Sequence, residues 1–228
     1  MQTRWHVAED ANAWLDSALD TVRRAAAEAI AARAEFHIVL AGGGTPERVY
    51  RALAREPMDW SRWRIWFGDE RCLAADHPER NSVMAQRAWF APAAVPADAI
   101  RTIPAERGAK AAAQAYAETL AGIDRFDLVL LGLGEDGHTA SLFPGRDWGE
   151  TRDAPAALAV FAAPKPPPER VSLSAWRLAQ ARRVVFWVTG AGKRDAVAAW
   201  RRGKPIPATA IRPAAGVDVW IDRAALGE

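Results

Sequence analysis

Four short apolar runs in this chain end in a glycine-rich or acidic turn, and that repetition restricts the fold more than any one motif does. They are FHIVLA at 36–41 before Gly42-Gly43-Gly44, RWRIWFG at 62–68 before Asp69-Glu70-Arg71, Phe126 to Leu131 before GLGEDGH at 132–138, and Val184 to Val188 before TGAGK at 189–193. Each has the length and continuous apolarity of a strand covered on both faces. Helical spacing separates them. Residues 8–34 carry Trp14, Leu15, Ala18, Leu19, Val22, Ala26, Ala29 and Ile30 at three- and four-residue intervals. Similar spacing runs from Thr45 to about Arg55, Ser82 to Phe90, over 108–121, from Ser174 to Ala181, and from the TGAGK turn to about Arg202. Shorter strand patterns stand at 99–103, 157–162 and 217–221. Alternation of this kind predicts the α/β class: a mainly parallel twisted sheet with helices on both faces, a Rossmann-like three-layer arrangement.

The 228 residues suffice for one large domain spanning 1–228, and no repeat or linker divides them. The proline cluster at 164–168 is too short to separate domains and instead shapes a loop beside the site. No run approaches the roughly 18 apolar residues of a membrane span. The opening MQTRWHVAED lacks a signal-peptide apolar region. Cys72 is the single cysteine, which removes intrachain disulfides and cysteine-rich metal sites and fits a small buried residue. These features predict a cytoplasmic protein, with a monomer as the default state. Net charge is +2 and basic residues are scattered, so a small anionic ligand fits better than nucleic acid or a membrane surface. The eleven tryptophans show no regular interleaving with basic residues and read as packing residues. Lysines number only four, so Lys193 in a glycine-rich turn draws attention.

In a parallel sheet the four turns lie along one edge, where ligands bind. AGGGTP at 41–46 can cradle a phosphate or sugar hydroxyl through backbone N–H groups, or be a plain strand-to-helix turn. In it Thr45 reads as a helix N-cap with Pro46 at the first position. No Lys-Ser or Lys-Thr follows, so it is not a P-loop. Asp69 can orient a partner or take a proton and Arg71 can stabilise negative charge on oxygen, unless the triplet is a structural ion-pair cluster. Lys193 can reach an anion or stand solvated in a first turn.

His138 is the acid–base group best placed at the sheet mouth, with a loop-capping histidine as its bland alternative. His37 reads as a packing residue inside a strand, while His6 near the chain end and His77 in a polar loop read as solvated. Histidine spacing gives no support to a metal site, and no G-x-S-x-G elbow occurs. Ser141 reads as a helix or phosphate contact rather than a nucleophile.

The loops together resemble the 6-phosphogluconolactonase family from about Val39 to Ile211. GLGEDGHTASLFPG is the most specific element. AGGGTP resembles the family's Ser-Gly-Gly-Ser-Thr-Pro loop, and GDERCL followed by Asn81 resembles its GDER…SN element, with Arg80 in place of the usual serine. RVSLS at 170–174, TGAGK and PATAI at 207–211 complete the pattern. The resemblance implies hydrolysis of 6-phospho-D-glucono-1,5-lactone without metal or organic cofactor. It implies His138 as general base, Arg71 stabilising the oxyanion, and Asp69 orienting Arg71, the water or the sugar. The substrate phosphate is expected at Gly43, Gly44 and Thr45 together with Arg170 and Lys193.

Two other readings compete. A glucosamine-6-phosphate deaminase shares the fold and a related Asp-Gly-His loop, but continues with Phe-Asn-Glu-Pro and commonly has tyrosine after Asp-Glu. Leu142-Phe143-Pro144 and Arg71 favour the lactonase. A sugar-phosphate sensor would normally carry a helix-turn-helix, for which no second helix appears before the first strand.

Overall fold

The computed structural model describes residues 2–227, so Met1 and Glu228 of the expected 1–228 domain lie outside the described residues. In chain order the main elements begin with β1 (Thr3–Val7), α1 (Ala11–Arg33), β2 (Phe36–Leu40), α2 (Gly44–Leu53), β3 (Trp63–Phe67) and β4 (Asp69–Arg71). They continue with α3 (Asn81–Ala85), which runs on as a π-helical turn over Gln86–Phe90, then β5 (Ile100–Arg101), α4 (Ala109–Thr119) and β6 (Phe126–Gly132). The last third holds β7 (Ala157–Val160), β8 (Arg170–Leu173), α5 (Ala175–Ala179), β9 (Ala181–Val188), α6 (Arg194–Arg201), α7 (Pro207–Ala210), β10 (Val217–Ile221) and α8 (Arg223–Leu226).

Seven strands form one parallel sheet in the order β1-β10-β9-β6-β2-β3-β5. Every residue of β2 and all but the last of β6 are buried, as strands covered on both faces must be. Helix α1 starts where Asp10 accepts N–H bonds from Asn12 and Ala13 and stops at Ala34, whose φ of 66° is left-handed. Its buried stripe of Trp14, Ala18, Leu19, Val22, Ala25, Ala26 and Ala29 joins the common core. Among the described residues no helix is long and apolar enough to cross a membrane.

A second sheet was not expected. Strands β4, β8 and β7 pair antiparallel in that spatial order, with Asp69 opposite Ser172 and Arg71 opposite Arg170. The turn read after β3 is therefore itself a strand, and the RVSL motif is its partner. Leu173 donates to the carbonyl of Gly68 at 2.7 Å, which ties this small sheet to the end of β3.

Two local expectations change. His6 lies in edge strand β1, 2.8 Å from Asp218 and stacked on Trp220, not in a loose terminus. Thr45 is not the cap of α2: Gly43 occupies that position with φ of 102°, and the Thr45 hydroxyl meets that of Thr189 at 2.6 Å. His37 is a packing residue as expected, buried between Glu35 and the Trp66 indole.

Candidate active site

Strands β2 and β6 are neighbours from which the sheet grows in opposite directions, toward β3 and β5 on one side and β9 and β10 on the other. Loops diverge at such a switch point and leave a crevice at the carboxyl ends of the strands. A cavity of about 270 Å³ lies there, lined by Gly42 and Gly43 after β2, Asp69 and Arg71 of β4, and His138 after β6, with Lys193 and Arg170. Six of the eight expected site residues thus share one cavity. Gly44 and Thr45 do not line it; they form the first turn of α2, where backbone N–H groups lack helical partners.

His138 is held by the loop that carries it. Gly134 donates to the His138 carbonyl at 2.7 Å, and Gly137 turns the chain at φ 86°. A Cβ on Gly134 would fall 2.0 Å from His138 Nδ1, so only glycine lets the ring lie there. That nitrogen is 2.5 Å from Asp136 Oδ1. The ring also packs against Phe143, with centroids 4.9 Å apart. Burial pulls the imidazole below its ordinary pKa, and Asp136 only partly offsets that. His138 is consequently neutral at neutral pH. With a carboxylate acceptor on Nδ1, the neutral tautomer carries its proton there and leaves Nε2 as the base. Burial pushes Asp136 upward, but the His138 ring and backbone N–H outweigh it and hold the carboxyl below its ordinary value. Sequence reasoning missed Asp136, although its place two residues before His138 is a visible signal.

The triplet Asp69-Glu70-Arg71 divides into three jobs. Asp69 is buried, accepting from the Ser141 hydroxyl at 2.6 Å and from Asn81 Nδ2 at 3.1 Å. Ser141 therefore anchors Asp69 instead of serving as a helix or phosphate contact. Among the described residues no hydrogen bond joins Asp69 to Arg71, so the expected option that Asp69 orients Arg71 has no contact behind it. Glu70 is wholly buried and accepts from the backbone N–H groups of Arg71, Asn81 and Ser82, fixing the start of α3. Arg71 reaches the cavity; its Nη1 donates to the carbonyl of Glu79, and its Nε is buried without an acceptor.

Arg80, standing where the family has serine, completes this support. It is 3% exposed, with Nε 3.5 Å from Glu70, Nη1 2.9 Å from Glu106 and Nη2 2.8 Å from the carbonyl of Ile103. Asn81, next in sequence, bonds the Asp69 carbonyl at 2.9 Å. A Cβ on Gly42 would come 2.0 Å from the Asn81 amide, so the glycine turn after β2 rests directly on that side chain. The cradle, Asp69 and α3 form one rigid wall.

Cations face this wall. Lys193 closes the turn after β9, and burial lowers its pKa more than nearby Glu135 raises it. Arg170 is buried, its guanidinium 5.7 Å from the centre of the Phe143 ring. Its Nε and Nη2 donate to the carbonyls of Lys165, Pro166 and Pro167. Lys165 itself lines the cavity, a residue that sequence reasoning passed over despite the scarcity of lysine. Among the described residues no group of three or more His, Cys, Asp or Glu side chains is placed to hold a metal ion.

The chain is similar to known proteins in both sequence and fold. The family model for glucosamine-6-phosphate isomerases/6-phosphogluconolactonase matches residues 9–220. A 6-phosphogluconolactonase of Synechocystis sp. is 36% identical over 192 residues, covering 80% of this chain and 78% of its own length. The crystal structure of the 6-phosphogluconolactonase from Thermotoga maritima matches with a TM-score of 0.89 at 25% identity, covering 97% of this chain and 100% of that one. A monomeric glucosamine-6-phosphate deaminase matches with a TM-score of 0.85 at 20% identity, covering 98% and 99% of the two chains, which is a likeness of fold alone. The chain belongs to the glucosamine-6-phosphate isomerase/6-phosphogluconolactonase family.

Proposed function

We propose that this protein hydrolyses 6-phospho-D-glucono-1,5-lactone to 6-phospho-D-gluconate, the lactone-opening step of the oxidative pentose phosphate pathway, as a cytoplasmic enzyme without metal or organic cofactor. The observation that carries the reading is His138, backed by Asp136 at Nδ1 and sharing one cavity with Arg71, Lys193, Lys165 and Arg170. A neutral base facing a group of cations suits water attack on a carbonyl in an anionic substrate.

In this reading Nε2 of His138 takes a proton from water as its oxygen attacks C1 of the lactone. The resulting oxyanion is stabilised by Arg71 and backbone N–H groups. As the bond from C1 to the ring oxygen breaks, the imidazolium returns its proton to that oxygen, giving the ring-opened acid, which loses its proton to solvent and leaves as the carboxylate. Asp69, fixed by Ser141 and Asn81, orients the water or a sugar hydroxyl. The phosphate meets the backbone N–H groups of Gly43, Gly44 and Thr45 and the Lys193 ammonium. Binding of that remote group aligns the carbonyl with the water.

The deaminase alternative lacks its acidic relay: Leu142 and Phe143 are buried, and Phe143 rather than a glutamate packs on the His138 ring. A coupled assay with freshly generated lactone, corrected for spontaneous hydrolysis, tests the reading. Hydrolysis proportional to enzyme supports it. Ammonia release from glucosamine 6-phosphate, or ligand-stabilised melting without faster lactone decay, overturns it.

A further inference from the structure

Strands β2 and β3 end in the same way at the cavity. The ladder between β2 and β6 stops at the pair Val39–Val129, and the ladder between β3 and β5 stops at Trp66–Arg101. Ala41 follows β2 and Phe67 closes β3, so each is a buried residue whose N–H and C=O lie beyond the last of those pairs. A tyrosine hydroxyl meets each one. Tyr50 of α2 accepts from the Ala41 N–H at 3.0 Å and donates to the Ala41 carbonyl at 2.9 Å. Tyr116 of α4 accepts from the Phe67 N–H at 2.9 Å and donates to the Phe67 carbonyl at 3.1 Å, with the carbonyl of Arg101, at the end of β5, 3.5 Å away.

The N–H and C=O of one residue point the same way in extended backbone, where a residue of a neighbouring strand would exchange both bonds with it. Each hydroxyl stands in for that absent strand residue. It holds Ala41 or Phe67 extended, so that the turn begins at the glycine that follows. Both rings are fully buried. Tyr50 packs against Trp89 and Trp187, with centroids 5.8 and 6.4 Å away, and Tyr116 packs against Trp66 at 6.2 Å. Burial pushes both phenols upward, so each keeps the proton that it donates.

The two turns serve different parts of the site. Beyond Ala41 the chain enters Gly42, Gly43 and the first turn of α2, where the substrate phosphate is placed above. Beyond Phe67 it enters Gly68, Asp69 and Arg71, beside the carbonyl under attack. Gly42, Gly43, Gly68, Asp69 and Arg71 line the cavity, and neither tyrosine does. We propose that Tyr50 and Tyr116 are positioning residues acting from behind the site: Tyr50 sets the phosphate cradle through the Ala41 peptide, and Tyr116 sets Asp69 and Arg71 through the Phe67 peptide. The inference rests on the lactonase reading above and divides substrate binding and turnover between two hydroxyls that never meet the substrate.

Tyr50→Phe and Tyr116→Phe each remove one buried hydroxyl and keep the ring, so the two variants carry the same kind of structural loss. Clamps that only stabilised the fold would lower both melting temperatures and change kcat and KM alike. Positioning gives opposite splits. Tyr50→Phe raises KM for 6-phosphogluconolactone and the inhibition constant of 6-phosphogluconate about tenfold, with kcat within about twofold of wild type. Tyr116→Phe lowers kcat about tenfold, with the inhibition constant within about twofold. Parallel changes in the two variants, or melting losses without either kinetic change, overturn the proposal. Amide hydrogen exchange reads the clamps without the reaction. The Ala41 N–H should lose protection in Tyr50→Phe only, and the Phe67 N–H in Tyr116→Phe only; retained protection in either variant overturns its clamp. A wild type that does not hydrolyse the lactone sinks the lactonase reading instead, a result distinct from these.

Discussion

Nδ1 of His138 lies 2.5 Å from Oδ1 of Asp136, and the same carboxylate oxygen accepts the His138 backbone N–H at 3.2 Å. One short side chain therefore fixes both the ring and the peptide that carries it. Replacing Asp136 by asparagine keeps the size but offers an amide that can donate to Nδ1, which favours the tautomer whose Nε2 already bears a proton. Asp136→Asn should lower kcat by about 10²-fold or more. Affinity for 6-phosphogluconate should stay within about twofold, because the phosphate contacts lie elsewhere. Wild-type turnover in this variant would remove Asp136 from the mechanism.

The pH dependence follows from the same pair. The base must be neutral, so activity is lost as pH falls through the His138 pKa. Burial holds that value below the ordinary 6.5, which puts the midpoint of the acid limb below 6.5 in kcat/KM profiles. Asp136 raises the His138 pKa, so its removal moves the limb of the residual activity to still lower pH. A shift to higher pH would contradict the geometry.

His138→Ala should reduce kcat by about 10²- to 10⁴-fold while 6-phosphogluconate still binds. Lys193→Ala should do the reverse, raising KM with the smaller effect on kcat. Calorimetry with the product and steady-state kinetics on the two variants separate these outcomes, and identical effects in both would merge the proposed roles.

Gly134→Ala places a methyl group 2.0 Å from the present position of His138 Nδ1. The ring must move and its bond to Asp136 must break. The variant should fold, because the loop is at the sheet edge, but its turnover should approach that of His138→Ala. Turnover near wild type would mean that the ring can be displaced without cost.

Arg80 is predicted to matter for stability more than for chemistry. Arg80→Ser introduces the residue usual in the family and leaves Glu70 buried with only its backbone donors. Breaking a buried pair by removing one partner costs about 3 kcal/mol. Urea denaturation should show a loss of that order. A midpoint within error of wild type would show that the backbone N–H groups alone satisfy Glu70.

Much of the fold was legible because its determinants are local. The continuous apolarity of Phe126 to Leu131 and the alternation at 217–221 reflect side-chain burial within each strand, and the structure places strands at both. Strand β1 was missed because an edge strand with the sequence TRWHV buries none of its residues fully and so lacks an apolar run. The antiparallel sheet was missed for another reason. Asp69–Arg71 finds its partner in Arg170–Leu173, about a hundred residues away, and neither segment alone records that pairing.

The candidate site divides along the same line. Sequence by itself determined the glycine turns, the position of His138 after β6, and the loop chemistry separating a lactonase from a deaminase, because these depend on neighbouring residues and backbone sterics. Only the tertiary structure decided what each charge meets: Asp69 with Ser141 and Asn81, Glu70 with Arg80, and Arg170 with the carbonyls of the proline-rich loop. The role of a charged side chain is set by its burial and its partners. Those partners are brought together by long-range strand pairing, which no local pattern in the chain encodes.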